Sequence, residues 1–167
     1  MPDVELLLTD VDGVLTDGSL TFDSAGVETK TFNVRDGLGV RLWQRAGGKL
    51  GIVTGRASTV VERRADELDI AIVCQAVGDK GRVVRDLAEE HGVPLERIAF
   101  LGDDLPDLPA MRAVGLGVAV ADAAHELLAE ADHVTAARGG RGALRELVER
   151  LLRASGRWDA VTGALHG

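Results

Sequence analysis

The sequence predicts an α/β fold: a Rossmann-like, three-layer α/β/α core with a mostly parallel sheet and a small β-hairpin insert. Three observations carry this. Short apolar runs alternate with segments of helical periodicity along the chain. Several of those runs end in Asp, Thr or Gly, the residues expected where a strand leaves a sheet. Outside the hairpin, strand and helix patterns alternate, which argues for a mostly parallel sheet covered on both faces.

The elements follow in order. Val4-Glu5-Leu6-Leu7-Leu8-Thr9 reads as a buried strand ending at Asp10. Leu20-Thr21-Phe22 and Val27 to Val34 flank Asp23-Ser24-Ala25-Gly26 and read as a hairpin, at about 19–34. Asp36 to Ala46 reads as a helix with Leu38, Leu42 and Trp43 on its apolar face, stopped by Gly47-Gly48. Leu50–Thr54, Ile70–Val73 and Ile98–Leu101 read as core strands. Ser58–Leu68 and Lys80–His91 read as the helices between them. Pro106–Ala113 reads as a short helix, Val118–Val120 and His133–Thr135 as strands, and Gly142–Leu152 as the closing helix. Residues 1–154 are expected to form one domain. From Ser155 to Gly167 periodicity is weak, and a mobile or intersubunit tail is expected.

Composition narrows the function. The 167 residues suffice for a full core. Aromatic residues are only 3%, so that core is built from Val, Leu, Ile and Ala. The formal charge is -8 and no Lys/Arg cluster is interleaved with aromatics, which argues against nucleic acid. No apolar run approaches the roughly 18–20 residues that span a membrane. The N-terminal residues lack the basic-then-apolar pattern of a secretion signal. Cys74 has no second cysteine to pair with, and its place after an apolar strand reads as a core filler. A cytoplasmic location is expected.

Chemistry collects at the strand ends. Asp10 and Asp12 lie one residue apart after the first strand and point to different sides of the chain. Thr54-Gly55-Arg56, Lys80, and Gly102-Asp103-Asp104 with Asp107 follow later strands. Each alone has a plain structural reading as a turn, a cap or a solvated charge. In a parallel sheet, however, the carboxyl ends share one edge, where ligands bind. The set suits phosphoryl transfer, which needs a nucleophile, an acid for the leaving oxygen and positive charge around the phosphoryl group. Asp10 fits the nucleophile and Asp12 the general acid, later the base. Mg2+ would relieve repulsion among the carboxylates and the phosphate, using oxygens of Asp10 and Asp103 and the Asp12 main-chain carbonyl. Thr54 would bond a phosphate oxygen, and Lys80 would neutralise remaining charge.

On these residues the chain resembles a haloacid dehalogenase-superfamily phosphatase. It is similar to the 3-deoxy-D-manno-octulosonate 8-phosphate phosphatase group. Further matching stretches are Asp10 to Gly18, Phe32 to Gly37, Ile52 to Arg56, Gly102 to Asp107, Val118 to Asp122 and Gly139 to Gly142. The resemblance implies Mg2+-dependent hydrolysis with Asp10 as nucleophile, Asp12 as acid/base, and metal binding by Asp10, Asp12 and Asp103. It also implies substrate contacts from Asn33, Val34, Arg35, Asp36, Gly37, Arg41, Arg56 and Lys80.

Many members carry a separate cap domain, but here the intervals between motifs are filled by the hairpin and core elements. No room for a cap remains, yet the site needs shelter. A neighbouring subunit is the economical source, and Leu20, Phe22 and Val27 are available for pairing outside the domain. The alternative is an ordinary edge hairpin of the same domain. The resemblance favours a homotetramer in which the region Gly139 to Gly142 or the tail approaches an adjacent site.

Guanidinium groups pair bidentately with carboxylates, so Arg35, Arg41, Arg56 and Arg141 are candidates for binding an acidic sugar. Each alone reads equally well as a surface salt bridge. Arginine after Thr54-Gly55 leans toward the eight-carbon acid, since phosphatases of nine-carbon, sialic-acid-type sugars often carry Glu there. A nucleoside-linked or secondary-metabolite sugar acid would satisfy the same groups. A non-catalytic oligomerisation module and a phosphoryl-transferring mutase are the other readings. The intact Asp10, Asp12, Thr54, Lys80 and Asp103 oppose the first, and the missing cap opposes the second.

Overall fold

A computed structural model of the chain describes residues 2–163. Strand β1 (Leu6–Thr9) is fully buried and sits at the centre. Next come β2 (Thr21–Phe22), β3 (Glu28–Thr29), α1 (Val34–Arg45) and β4 (Lys49–Val53). Then follow α2 (Thr59–Glu67), β5 (Ile72–Cys74), α3 (Lys80–His91) and β6 (Ile98–Gly102). The chain continues through α4 (Leu108–Met111), β7 (Leu116–Ala119), α5 (His125–Glu130), β8 (His133–Val134), α6 (Ala143–Ala154) and α7 (Trp158–Gly163). Six strands form one sheet in the order β5-β4-β1-β6-β7-β8, every pair parallel. β2 and β3 form a separate antiparallel pair.

The strand order fixes where a ligand binds. From β1 the chain adds β4 and β5 on one side, then returns to place β6, β7 and β8 on the other. The crevice therefore opens outside the carboxyl ends of β1, β4 and β6. Leu6, Leu7 and Leu8 of β1 and Ile98, Phe100 and Leu101 of β6 are inaccessible to solvent. A strand covered on both faces reads as a continuous apolar run, and this one does.

The helices show why these segments fold as they do. Asn33 caps α1, its Oδ1 accepting from Arg35 N at 2.9 Å. Asp79 caps α3, its Oδ1 accepting from Arg82 N at 3.0 Å. Gly92 ends α3 in the left-handed region at φ 63°. α6 buries Leu144, Leu147, Val148, Leu151 and Leu152, the spacing of an amphipathic helix, and packs against α1.

Several expectations are corrected. The hairpin strands are two residues each, and Val34 opens α1 instead of closing a strand. Asn33 drives this, because its cap starts the helix before Asp36. Leu38 is exposed, and the inward face of α1 is carried by Gly37, Gly39, Val40, Leu42 and Trp43. Trp43 is buried and donates from Nε1 to the Lys49 carbonyl at 2.7 Å. In the expected tail, residues 158–163 form α7, where Trp158 stacks under Arg153 with 4.4 Å from guanidinium carbon to ring centroid. Residues 164–167 of that expected tail lie outside the described residues. Among the described residues no helix is long and apolar enough to cross a membrane.

Candidate active site

Asp10 leaves β1 directly, its N–H still donating to the Leu101 carbonyl at 3.0 Å. Its carboxylate is therefore fixed by the central strand. Thr54 leaves β4 in the same way, its N–H donating to the Cys74 carbonyl at 2.9 Å. Lys80 is the first residue of α3, placed there by the Asp79 cap. Asp103 follows β6. One cleft is lined by Asp10, Asp12, Thr54, Gly55, Arg56, Lys80, Asp103, Asp104 and Asp107.

Lys80 lies at the bottom, 4% exposed. Its ammonium is 2.7 Å from Asp10 Oδ2 and 2.6 Å from Asp107 Oδ1. Burial alone would lower its pKa, but the carboxylates of Asp107 and Asp10 outweigh burial and hold it above its ordinary value. Cys74, on the edge strand β5, has its thiol pushed up by burial and then by Glu90, so it is a poor nucleophile.

Asp107 closes the acidic loop that follows β6. It is fully buried. Its Oδ2 accepts from the backbone N–H of Asp103 at 2.9 Å and of Asp104 at 3.3 Å, which shapes the acidic loop. The capping box between Asp104 and Asp107 is the signal that marks it.

Carboxylate oxygens of Asp10, Asp103 and Asp107 lie within 4.8 Å of one another. Burial, then the negative charges of Asp107, Asp10 and Asp104, push the Asp103 carboxyl up to about 8. Among the described residues Asp103 Oδ1 is buried without a hydrogen-bond partner. Crowded carboxylates with an orphaned oxygen are the donor set that a hard divalent cation takes. The residues therefore fit Mg2+. Two of the expected metal ligands, Asp10 and Asp103, lie in this cluster, and Asp107 adds a third carboxylate to it. The Asp12 carboxylate turns instead to Lys30, with Arg56 Nε 3.6 Å away.

Two glycines let the loops meet. Gly13 has φ +90°, and a Cβ there would fall 1.9 Å from Asp103 Oδ2. A Cβ on Gly102 would fall 2.6 Å from Asp107 Oδ2. The Gly of Asp10-Val11-Asp12-Gly13 is thus a space requirement as well as a turn.

Not every expected contact reaches this cleft. Arg41 pairs with Asp69 and donates to the Glu67 carbonyl at 2.6 Å, at the C-terminal end of α2. Asp36 and Gly37 are buried in α1, and Asp36 Oδ1 accepts from Arg145 N at 2.9 Å. Asn33 caps α1 and also donates from Nδ2 to the Gly140 carbonyl at 3.3 Å. Val34 is 82% exposed. Arg35 and Arg141 line a separate depression with Arg145, Glu146 and Glu149. The glycines before Arg141 instead brace the first loop: Gly140 N donates to the Val14 carbonyl at 2.8 Å.

Glu28, Lys30 and Ser58 were not foreseen. Glu28 Oε1 accepts from Arg56 Nη2 at 2.7 Å, and its Oε2 accepts from Ser58 Oγ at 2.6 Å. The Ser58 hydrogen bond, followed by Lys30 and Arg56, lowers the Glu28 pKa against the effect of burial. The available signal was the alternation Glu28-Thr29-Lys30, which puts Glu28 and Lys30 on one face of a strand.

Residues 70–147 match the haloacid dehalogenase-like hydrolase family. The 3-deoxy-D-manno-octulosonate 8-phosphate phosphatase of Escherichia coli K12 is 44% identical over 160 residues, covering 96% of this chain and 85% of that protein. The Moraxella catarrhalis phosphatase of the same name, solved with magnesium ion, phosphate ion and KDO, has a TM-score of 0.96 at 40% identity. That match covers 98% of this chain and 94% of the Moraxella chain. The cobalt-bound Haemophilus influenzae phosphatase has a TM-score of 0.91 at 39% identity, covering 95% of this chain and 92% of that one. The chain belongs to the haloacid dehalogenase-like hydrolases, within their 3-deoxy-D-manno-octulosonate 8-phosphate phosphatase group, and is a phosphomonoester hydrolase.

Proposed function

We propose that this phosphatase is Mg2+-dependent and hydrolyses 3-deoxy-D-manno-octulosonate 8-phosphate through an aspartyl phosphate on Asp10. The observation that carries this is the convergence of Asp10, Lys80, Asp103 and Asp107 under a rim that holds Arg56. The Moraxella relative with its bound magnesium, phosphate and KDO supports the metal and the substrate.

Asp10 attacks phosphorus, and the bond to the sugar oxygen breaks as the new Asp10–phosphorus linkage forms. Asp12 gives its proton to the departing oxygen, then takes one from the water that hydrolyses the acyl phosphate. Lys80 orients Asp10 and offsets phosphate charge. Thr54 donates to a phosphate oxygen. Asp10, Asp103 and the Asp12 main-chain carbonyl would hold Mg2+, with Asp107 completing the acidic set. The bound cation supplies charge neutralisation at the transferring group.

Arg56 is the reader of the substrate carboxylate. An Arg56→Ala variant is expected to raise KM for the sugar-acid phosphate more than for p-nitrophenyl phosphate. Equal effects on both would remove Arg56 from that role. A panel of sugar-acid phosphates ranked by kcat/KM decides the substrate. A higher value for a nine-carbon or nucleoside-linked acid would replace the eight-carbon one.

The assembly we propose is a homotetramer built on the hairpins, because Leu20, Phe22 and Val27 are each at least half exposed. Arg35 and Arg141, outside the cleft of their own chain, would then approach a neighbour's site. Sedimentation equilibrium tests this, and an active monomer would overturn it.

A further inference from the structure

We propose that Lys30 is a positioning residue for Asp12, so that the hairpin supplies a working part of the catalytic site. The inference rests on the reading of Asp12 as general acid. Lys30 follows β3 in a hairpin that is largely open to solvent, yet its side chain is only 1% exposed. Its ammonium pairs with Asp12 Oδ1 and lies 3.4 Å from Glu28 Oε1. Glu28 is held in turn by Arg56 and by Ser58 at the start of α2. Arg56 Nε lies 3.6 Å from Asp12 Oδ2. Asp12, Lys30, Glu28 and Arg56 thus close a ring of alternating charge at the rim of the cleft.

The ring has a direction. The exposed Leu20, Phe22 and Val27 contribute little apolar burial within the chain, so the polar ring is what ties the hairpin to the core. On the Asp12 side, Lys30 makes the closer contact. Without it Asp12 keeps, among the described residues, only Arg56, beyond hydrogen-bond distance. A general acid must be held within reach of the leaving oxygen. Lys30 fixes one carboxylate oxygen, and the other lies 3.6 Å from Arg56 Nε, both residues lining the cleft.

The leaving group provides the test. A sugar alkoxide needs a proton as its bond to phosphorus breaks, whereas p-nitrophenolate departs with little help. Lys30→Met is expected to lower kcat on 3-deoxy-D-manno-octulosonate 8-phosphate about 10- to 100-fold. The loss on p-nitrophenyl phosphate should be about tenfold smaller. Lys30→Arg should recover much of the loss. Glu28→Gln frees Lys30 without removing its ammonium and should show the same selectivity, more weakly. It also serves if Lys30→Met folds poorly by thermal melting. Asp12→Asn, run in parallel, should be selective in the same sense. If Asp12→Asn is selective while the Lys30 and Glu28 variants lose both substrates equally, or neither, Lys30 does not position Asp12 and the acid assignment stands. If Asp12→Asn itself is not selective, the acid assignment falls and the role of Lys30 falls with it.

Discussion

Asp36→Asn should make the protein more stable at neutral pH while leaving catalysis intact. Asp36 is 4% exposed, in α1 against α6. Its Oδ1 accepts from Arg145 N, but Oδ2 is buried with no partner among the described residues. Burial, only partly offset by hydrogen bonds and nearby arginines, pushes its carboxyl from 3.8 up to about 6. A folded-state pKa above the unfolded one means that the native state binds the extra proton. The associated stability is present below about pH 4 and is lost as pH rises to about 6. The gap of about 2 pH units corresponds to about 3 kcal/mol. Asparagine keeps the oxygen acceptor and cannot ionise. Its amide leaves a buried donor unmet, a roughly constant cost of about 1 kcal/mol. The difference in unfolding free energy, variant minus wild type, should therefore climb by about 2–3 kcal/mol between pH 4 and pH 6.5 and then level off. Urea unfolding of both proteins across that range measures it, and the subtraction removes titrations the two share. A flat or falling difference would refute the burial argument. A collapse of activity at unchanged stability would return Asp36 to the substrate contacts.

Other outcomes follow from the same geometry. Gly13→Ala should abolish Mg2+-dependent activity and weaken Mg2+ binding by calorimetry, because its Cβ would collide with Asp103 Oδ2 at a positive φ. Lys80→Ala leaves Asp10 and Asp107 without their shared ammonium and should cost about 3–5 kcal/mol of stability without metal. Added Mg2+ should then raise the Tm of Lys80→Ala more than that of wild type. Phe22→Asp, at a side chain 53% exposed on the hairpin, should lower the sedimenting mass without lowering intrachain stability.

The parallel core was legible because its strands are continuous apolar runs. Leu6-Leu7-Leu8 and Ile98-Ala99-Phe100-Leu101 have no polar alternation, as expected of strands covered on both faces. Asp10, Thr54, Lys80 and Asp103 were legible because each follows a strand whose place in the sheet fixes where it points. α5 was not, since a six-residue helix with only Leu127 buried shows no periodicity. Asp107 was half-legible: its spacing from Asp104 marks a cap, but only the folded loop turns its carboxylate onto Lys80. The arginines mark the limit. Arg41 and Arg56 are alike as residues, and tertiary packing alone ties one to Asp69 and leaves the other beside Asp12. Alternation puts Glu28 and Lys30 on one face, but only tertiary packing brings that face onto Asp12, Arg56 and Ser58.

The most direct measurement of the central assignment is chemical trapping during turnover. Enzyme is mixed with Mg2+ and 3-deoxy-D-manno-octulosonate 8-phosphate, quenched in acid and reduced with borohydride, and its peptides are mapped by mass. An acyl phosphate on Asp10 predicts conversion of that residue to homoserine, dependent on substrate and absent in Asp10→Asn. Sustained turnover with no reduction at Asp10, or with reduction at another carboxylate, would contradict it.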